Sequence, residues 1–258
     1  MKQIFTLFAI IAMAGCTCKK VETFKEANDP TPLTESAAAA WDEVKNGLNG
    51  AWGTPDLVYS RSEVPQNLTE SYAVSGWRGE KVSAQILLWS DDDVEGVKCK
   101  ISDFKAKGAT LPASIAEARF VRYTIADKVD ESCRCGRPNG HPAILQADML
   151  DNVASMDVAA KSARPVWISI AVPQDAKAGL YKATVKVSHK GSGSVVLPLE
   201  LKVVDEELAK PSEWGFHLDL WQHPSAVARA AEVEMWSDEH FEVMRPLMKR
   251  LADAGQKV

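Results

Sequence analysis

Apolar and polar positions alternate along Lys81–Leu88. Val82, Ala84, Ile86 and Leu88 fall on one side, and Lys81, Ser83, Gln85 and Leu87 on the other. A period of two predicts a β-strand with one buried face, and Leu87 makes its end apolar on both. Val97–Ile101 alternates in the same way, and Phe120–Ile125 less decisively. Further strands are predicted at Val166–Val172, Leu180–Val187 and Val195–Val204. Turn signals separate them: Pro173–Gly179 in one gap, Lys190–Gly193 in the other. Strands at this spacing predict an antiparallel β-sandwich over residues 50–205. The Asp91-Asp92-Asp93 run reads as a solvated turn between two strands. It lacks the glycine and distal glutamate of a calcium loop. Before the sandwich, an alanine-rich stretch in 33–47 predicts a short helix capped by Thr34 or Ser36.

The pattern changes at Asp205. A polar linker, Asp205–Ser212, precedes a predicted strand at Trp214–Leu220. A loop follows, holding Pro224 and a short alanine-rich helical piece. Ser237 or Asp238 then caps a helix whose one face carries Phe241, Met244, Leu247, Met248 and Leu251. Gly255 stands where a helix-ending residue belongs, and Gln256–Val258 begins something extended. Strand, helix and strand make one β/α step, which cannot bury its own apolar face. The expectation is a chain that forms the front part of a longer protein. Residues 206–258 would be the linker and the start of an incomplete (β/α)8 barrel. No glycine-rich turn follows Leu220, which disfavours a dinucleotide-binding sheet.

The amino terminus predicts export. Lys2 precedes an almost unbroken apolar run, Ile4–Ala14, too short to span a bilayer but suited to a signal peptide. Met13-Ala14-Gly15-Cys16 resembles a bacterial lipobox. That likeness implies a signal peptide over 1–15, lipidation of Cys16 and anchoring at a membrane surface, in an outer-membrane lipoprotein whose membrane face stays open. Residues 16–49 would be the tether and short helix. An ordinary secretory signal is the alternative. Of the remaining cysteines, Cys18, Cys99, Cys133 and Cys135, one of the Cys133/Cys135 pair could bond Cys99, or all could be free. Cys133, Cys135 and His141 do not have the spacing of a zinc site.

The formal net charge is −5 and there is no long basic run, so nucleic acid is not an expected partner. No lipase-type serine motif, phosphate-cradling loop or His-Glu-x-x-His occurs, and no cofactor is implied. The most site-like stretch is His217–His223. Alternation puts His217, Asp219 and Trp221 on one strand face, which at the C-terminal end of a barrel strand points into the substrate mouth. A histidine, a carboxylate and an indole suit a sugar; a polar barrel core packed by Trp221 is the competing reading. Asp238-Glu239 opens a helix, where carboxylates favour the helix dipole, and His240 and Glu242 are expected on its exposed side. Trp77 is expected to cap the sandwich core, with a stacking platform as the competing reading.

Several stretches together resemble one family. They are Gly76-Trp77-Arg78-Gly79-Glu80-Lys81-Val82-Ser83-Ala84-Gln85, Ala163-Arg164-Pro165-Val166-Trp167 with its Pro173–Tyr181 turn, and Glu213-Trp214 through Gln222. The helix start Trp236-Ser237-Asp238-Glu239-His240-Phe241 and Leu251–Lys257 belong with them. In this order they are similar to the N-terminal portion of glycoside hydrolase family 123 and related lipoproteins, from about Tyr59 to Val258. The resemblance implies a β-sandwich followed by a (β/α)8 barrel and a β-N-acetylgalactosaminidase-type activity on glycans such as those of glycosphingolipids. It implies substrate-assisted retaining hydrolysis, in which the 2-acetamido oxygen attacks the anomeric carbon, one acid orients that group and an adjacent Glu acts as general acid. It places that acid pair beyond Val258, so no catalytic residue is assigned here; the alternative is a lipid-anchored carbohydrate-binding or scaffold β-sandwich without catalysis. His217, Asp219, Trp221 and Gln222 carry over as the expected wall of a glycan pocket.

Overall fold

The computed structural model describes residues 25–127 and 142–256. The signal peptide, Cys16, Cys18, the Cys133/Cys135 pair and His141 lie outside the described residues. Twelve strands are seen among those residues: β1 (Asn49–Gly53), β2 (Tyr72–Arg78), β3 (Lys81–Ser90), β4 (Val94–Ile101), β5 (Phe104–Ala106), β6 (Ala109–Leu111), β7 (Ala116–Asp127), β8 (Ala143–Asp151), β9 (Met156–Val158), β10 (Ser162–Ala171), β11 (Gly179–Ser188) and β12 (Ser194–Glu207). The helices are α1 (Glu35–Ala40), α2 (Pro224–Ala231) and α3 (Asp238–Asp253).

The strands form two layers. Sheet A runs β1-β3-β10-β7-β8 and sheet B runs β2-β12-β11-β4-β9, with the β5–β6 hairpin off β11. The strands predicted for the sandwich are all present, and the sandwich is mainly antiparallel. The exception is β2, which pairs parallel to β12. β1 was not legible because Gly50 and Gly53 interrupt its pattern. Glycine is needed at position 53, where a Cβ would lie 2.5 Å from Leu87 and 2.7 Å from the Tyr59 hydroxyl.

The core is the slab between the two inner faces. Ala84, Ile86, Leu88, Val166, Ile168 and Ile170 of sheet A meet Tyr181, Val185, Val187, Leu199, Leu201 and Val203 of sheet B. Burial of this apolar area is the main stabilising term. β3 is also covered on its outer face: Leu87 is fully buried and Gln85 nearly so. The irregular segment between β1 and β2 provides that cover. Gln85 Nε2 donates to the carbonyls of Thr54 and Leu57, and Ala163 N donates to that of Arg61. Both faces of β3 therefore lie inside protein, which is why its end is apolar on both sides.

The Asp91–Asp93 turn is solvated as expected, with Asp92 and Asp93 exposed, and Asp93 Oδ1 accepts from Ala160 N at 2.8 Å. Trp77 does not cap the core; it is 45% exposed on β2. Cys99 has no sulfur partner among the described residues. Burial pushes its thiol up to about 12, so it stays protonated at neutral pH.

Ile168→Ala should cost about 2–5 kcal/mol in urea unfolding, because it opens a cavity between the sheets. Val196→Ala, at an exposed position on β12, should cost under about 1 kcal/mol.

Candidate functional site

Two regions gather polar chemistry. The first is the β/α segment after the sandwich. Its exit is fixed by Leu208, whose N–H donates to the Arg78 carbonyl and whose carbonyl accepts from Gln174 Nε2 at 3.1 Å. The predicted strand Trp214–Leu220 is not a regular strand. A 3-10 turn at Pro211–Glu213 leads into irregular backbone, and only Leu218 forms a bridge, parallel to Gln256. A bridge between those two positions, with α3 between them in sequence, gives the chain order of a β/α unit. Trp214 locks the segment's base. Its ring stacks on Phe216 at 5.0 Å, and its Nε1 donates to the Ala209 carbonyl. The ring also closes over Gly255, where a Cβ would meet it at 2.6 Å. Gly255 has φ +100, and Gln256 N donates to the Leu251 carbonyl, so glycine ends α3 as expected.

Ser237 caps α3, its hydroxyl accepting from His240 N. His240 is not on the exposed side. It is fully buried, its Nδ1 accepts from Trp236 N at 2.9 Å, and its Nε2 therefore carries the proton donated to the Pro224 carbonyl. Buried between α2 and α3, it is a structural bridge. The helical periodicity placed it outside because its partner, the bend at Trp236 with φ 70, is not visible in a hydropathy pattern. The apolar stripe of α3 is only half-satisfied. Met244 is buried, whereas Phe241, Leu247 and Met248 are exposed.

His217, Asp219, Trp221 and Gln222 are all exposed, and Trp221 reaches 92%. Gln222 Nε2 donates to the Leu220 carbonyl, and no hydrogen bond joins any two of the four. The chain brings them into one short stretch without enclosing them. Gln222 also borders a small apolar groove between α2 and α3, walled by Val227, Met244 and Met248.

The second region was missed in the sequence. Glu26, expected to be part of a tether, is docked into sheet A. β10 and β7 pair only from Ile170/Ala116 to Val166/Phe120, after which the two strands part. Glu26 fills the fork. Its carboxylate accepts from both terminal nitrogens of Arg164 (2.9 Å for Nη2–Oε2) and from Tyr123 N at 3.1 Å. Arg164 Nη1 also donates to the Val121 carbonyl. Side chains thus take over where the ladder stops. Around them, Arg122 pairs with Asp151 at 2.6 Å, Arg61 Nη1 approaches Glu26 at 3.4 Å, and the Arg164 guanidinium lies 5.1 Å from the centre of the Tyr123 ring. Asp29 extends the clasp by accepting from Ser62 Oγ. Downstream, Trp41 is buried, with its indole N–H on the Ser62 carbonyl. Burial works against the charged Glu26 carboxyl. The Arg164 hydrogen bond and charge, the Tyr123 N–H and the Arg122 charge outweigh it and hold the group below its ordinary value. Among the described residues, no three metal-ligating side chains converge.

Comparisons with known proteins bear on both regions. The glycoside hydrolase 123 N-terminal domain profile matches residues 52–189, and the glycoside hydrolase 123 catalytic domain profile matches residues 221–258. Among solved structures, a family 123 glycoside hydrolase from Clostridium perfringens, studied for glycolipid glycan hydrolysis, superposes with a TM-score of 0.70 at 21% identity. The match covers 81% of this chain and 36% of that one, so this chain spans about a third of that structure's length. The secreted serine protease VesC from Vibrio cholerae matches at TM-score 0.28 and 9% identity, over 51% of this chain and 21% of its own. The periplasmic chaperone SfaE matches at 0.30 and 13%, over 65% and 61%. Neither score is high enough to show a shared fold. No curated protein matches the sequence.

Glu26→Gln should cost about 3 kcal/mol at pH 7, since it leaves Arg164 buried without its counter-charge. Because the folded carboxyl sits below its ordinary 4.5, its stabilisation is present above that value and fades as pH falls through the lower folded one. Urea unfolding curves of wild type and variant should therefore converge in acid.

Proposed function

Since the chain belongs to glycoside hydrolase family 123, we propose that its 258 residues supply the sandwich and the first β/α unit of a glycosidase barrel. The observation that carries this is a coincidence of position. The catalytic-domain match begins at Trp221, inside the stretch flanked by the parallel Leu218–Gln256 bridge, and the helix there leaves Phe241, Leu247 and Met248 uncovered. Further barrel strands and helices would cover that stripe.

The substrate would be a glycan with β-linked N-acetylgalactosamine, cleaved with retention. The substrate's acetamido oxygen is the nucleophile, one acid orients it, and a neighbouring glutamic acid protonates the leaving oxygen. That acid pair would reside on a barrel strand outside these residues. Asp238 and Glu239 are not the pair: they occupy the first turn of α3, where they complement the helix dipole. His217, Asp219, Trp221 and Gln222 would form one wall of the pocket. Their exposure supports this role, since side chains meant for a ligand face solvent. The protein would be exported and held at the outer membrane through lipidated Cys16.

Protein isolated from its native host should hydrolyse an aryl N-acetyl-β-galactosaminide, and the 258-residue chain alone should not. In the active form, Trp221→Ala should raise KM roughly two- to tenfold with little change in Tm. Turnover by the 258 residues alone, or none by the native protein, would overturn the assignment.

A further inference from the structure

We propose that the outer face of sheet A carries a saccharide-binding groove of its own, apart from the β/α segment. The groove has a volume of about 240 Å³ and lies beside the segment that covers β3. Its rim is apolar and uncovered: Leu57, Val58 and Leu150 are 44%, 61% and 40% exposed. Apolar side chains gathered around a concavity mark a binding surface more often than chance exposure. Trp167 lines the groove from central strand β10, half-buried and opposite Gln85 in the register.

Two polar groups reach the groove, and both are acceptors. Gln85 is 5% exposed, and its amide nitrogen is committed to the Thr54 and Leu57 carbonyls. That pair fixes the amide's orientation and leaves Oε1 without a donor among the described residues. Asp148 is the second. β7 and β8 pair Arg122 with Met149 and then Tyr123 with Ala147, so Asp148 is the extra residue of a bulge. Bulges re-aim side chains, and this one sets a carboxylate with no partner among the described residues on the groove wall.

A ligand for this groove must donate hydrogen bonds and offer an apolar face to an indole. A sugar ring does both, with hydroxyls for the two acceptors and a C–H face for Trp167. A quaternary ammonium suits the indole and carboxylate but donates no hydrogen bond to the Gln85 oxygen. The groove would hold a glycan on the sandwich while the barrel acts elsewhere.

The test is a titration of the 258-residue chain, ¹⁵N-labelled at tryptophan. The probes are methyl β-galactoside, methyl N-acetyl-β-galactosaminide and methyl β-glucoside, with tetramethylammonium as a control. At least one sugar should shift the Trp167 indole resonance saturably below about 50 mM. Trp167→Phe identifies that resonance. Asp148→Ala, at an exposed position, should keep the wild-type Tm and weaken binding about fivefold. No saturable shift with any sugar, equal affinity in Asp148→Ala, or a response to tetramethylammonium alone would each overturn the proposal. Hydrolysis is not part of the readout, so this result and the glycosidase assay can fail independently.

Discussion

Sheet A has to open between β10 and β7, and the carboxylate of Glu26 is what satisfies the opening. Beyond Val166 and Phe120 the two strands separate, leaving the Val121 carbonyl and the Tyr123 N–H without ladder partners. A buried unpaired backbone group costs about 1–3 kcal/mol. The Glu26–Arg164 pair takes up both groups, the acid accepting from Tyr123 and the arginine donating to Val121. Each ion is in turn neutralised by the other, which is the condition for keeping either of them buried. The residues before the sandwich are therefore part of its fold.

The rest of the outer layer follows from that clasp. With Glu26 and Asp29 in place, Arg61 and Ser62 are held, and the Ser62 carbonyl receives the indole of Trp41 below the short α1 helix. The same segment presents the Thr54 and Leu57 carbonyls to Gln85. Where the cover stops, the face of Trp167, Leu150 and Asp148 is left open as the groove. At the other end of the sandwich, Gln174 and Arg78 grip Leu208, and Trp214 closes on Gly255. The catalytic-domain segment thus leaves the sandwich through a short, hydrogen-bonded exit.

The sandwich was legible because alternation is a local signal: Val82, Ala84, Ile86 and Leu88 announce their face within eight residues. The end of α3 was legible for the same reason, since Ser237 and Gly255 act on neighbouring backbone. The Glu26 clasp was not, because its partners lie 97 and 138 residues away and a lone glutamate in a polar stretch looks like solvent-facing tether. The groove was hidden because Gln85 reads as the polar half of an alternating strand, and its burial depends on a distant loop. His240 was misplaced because its burial comes from a bend at Trp236. Trp214–Leu220 lacks a continuous strand although its residues alternate; here it has one bridging neighbour, Gln256, and a strand needs a ladder to be regular.

The central claim is that Glu26 completes sheet A, and amide hydrogen exchange at Tyr123 tests it most directly. In the wild-type chain the Tyr123 amide should be protected, since it donates to the partly buried Glu26 carboxylate. In Glu26→Ala its exchange should quicken by about tenfold or more, while amides in the β3–β10 ladder keep their protection. Equal protection of Tyr123 in both proteins would contradict the account.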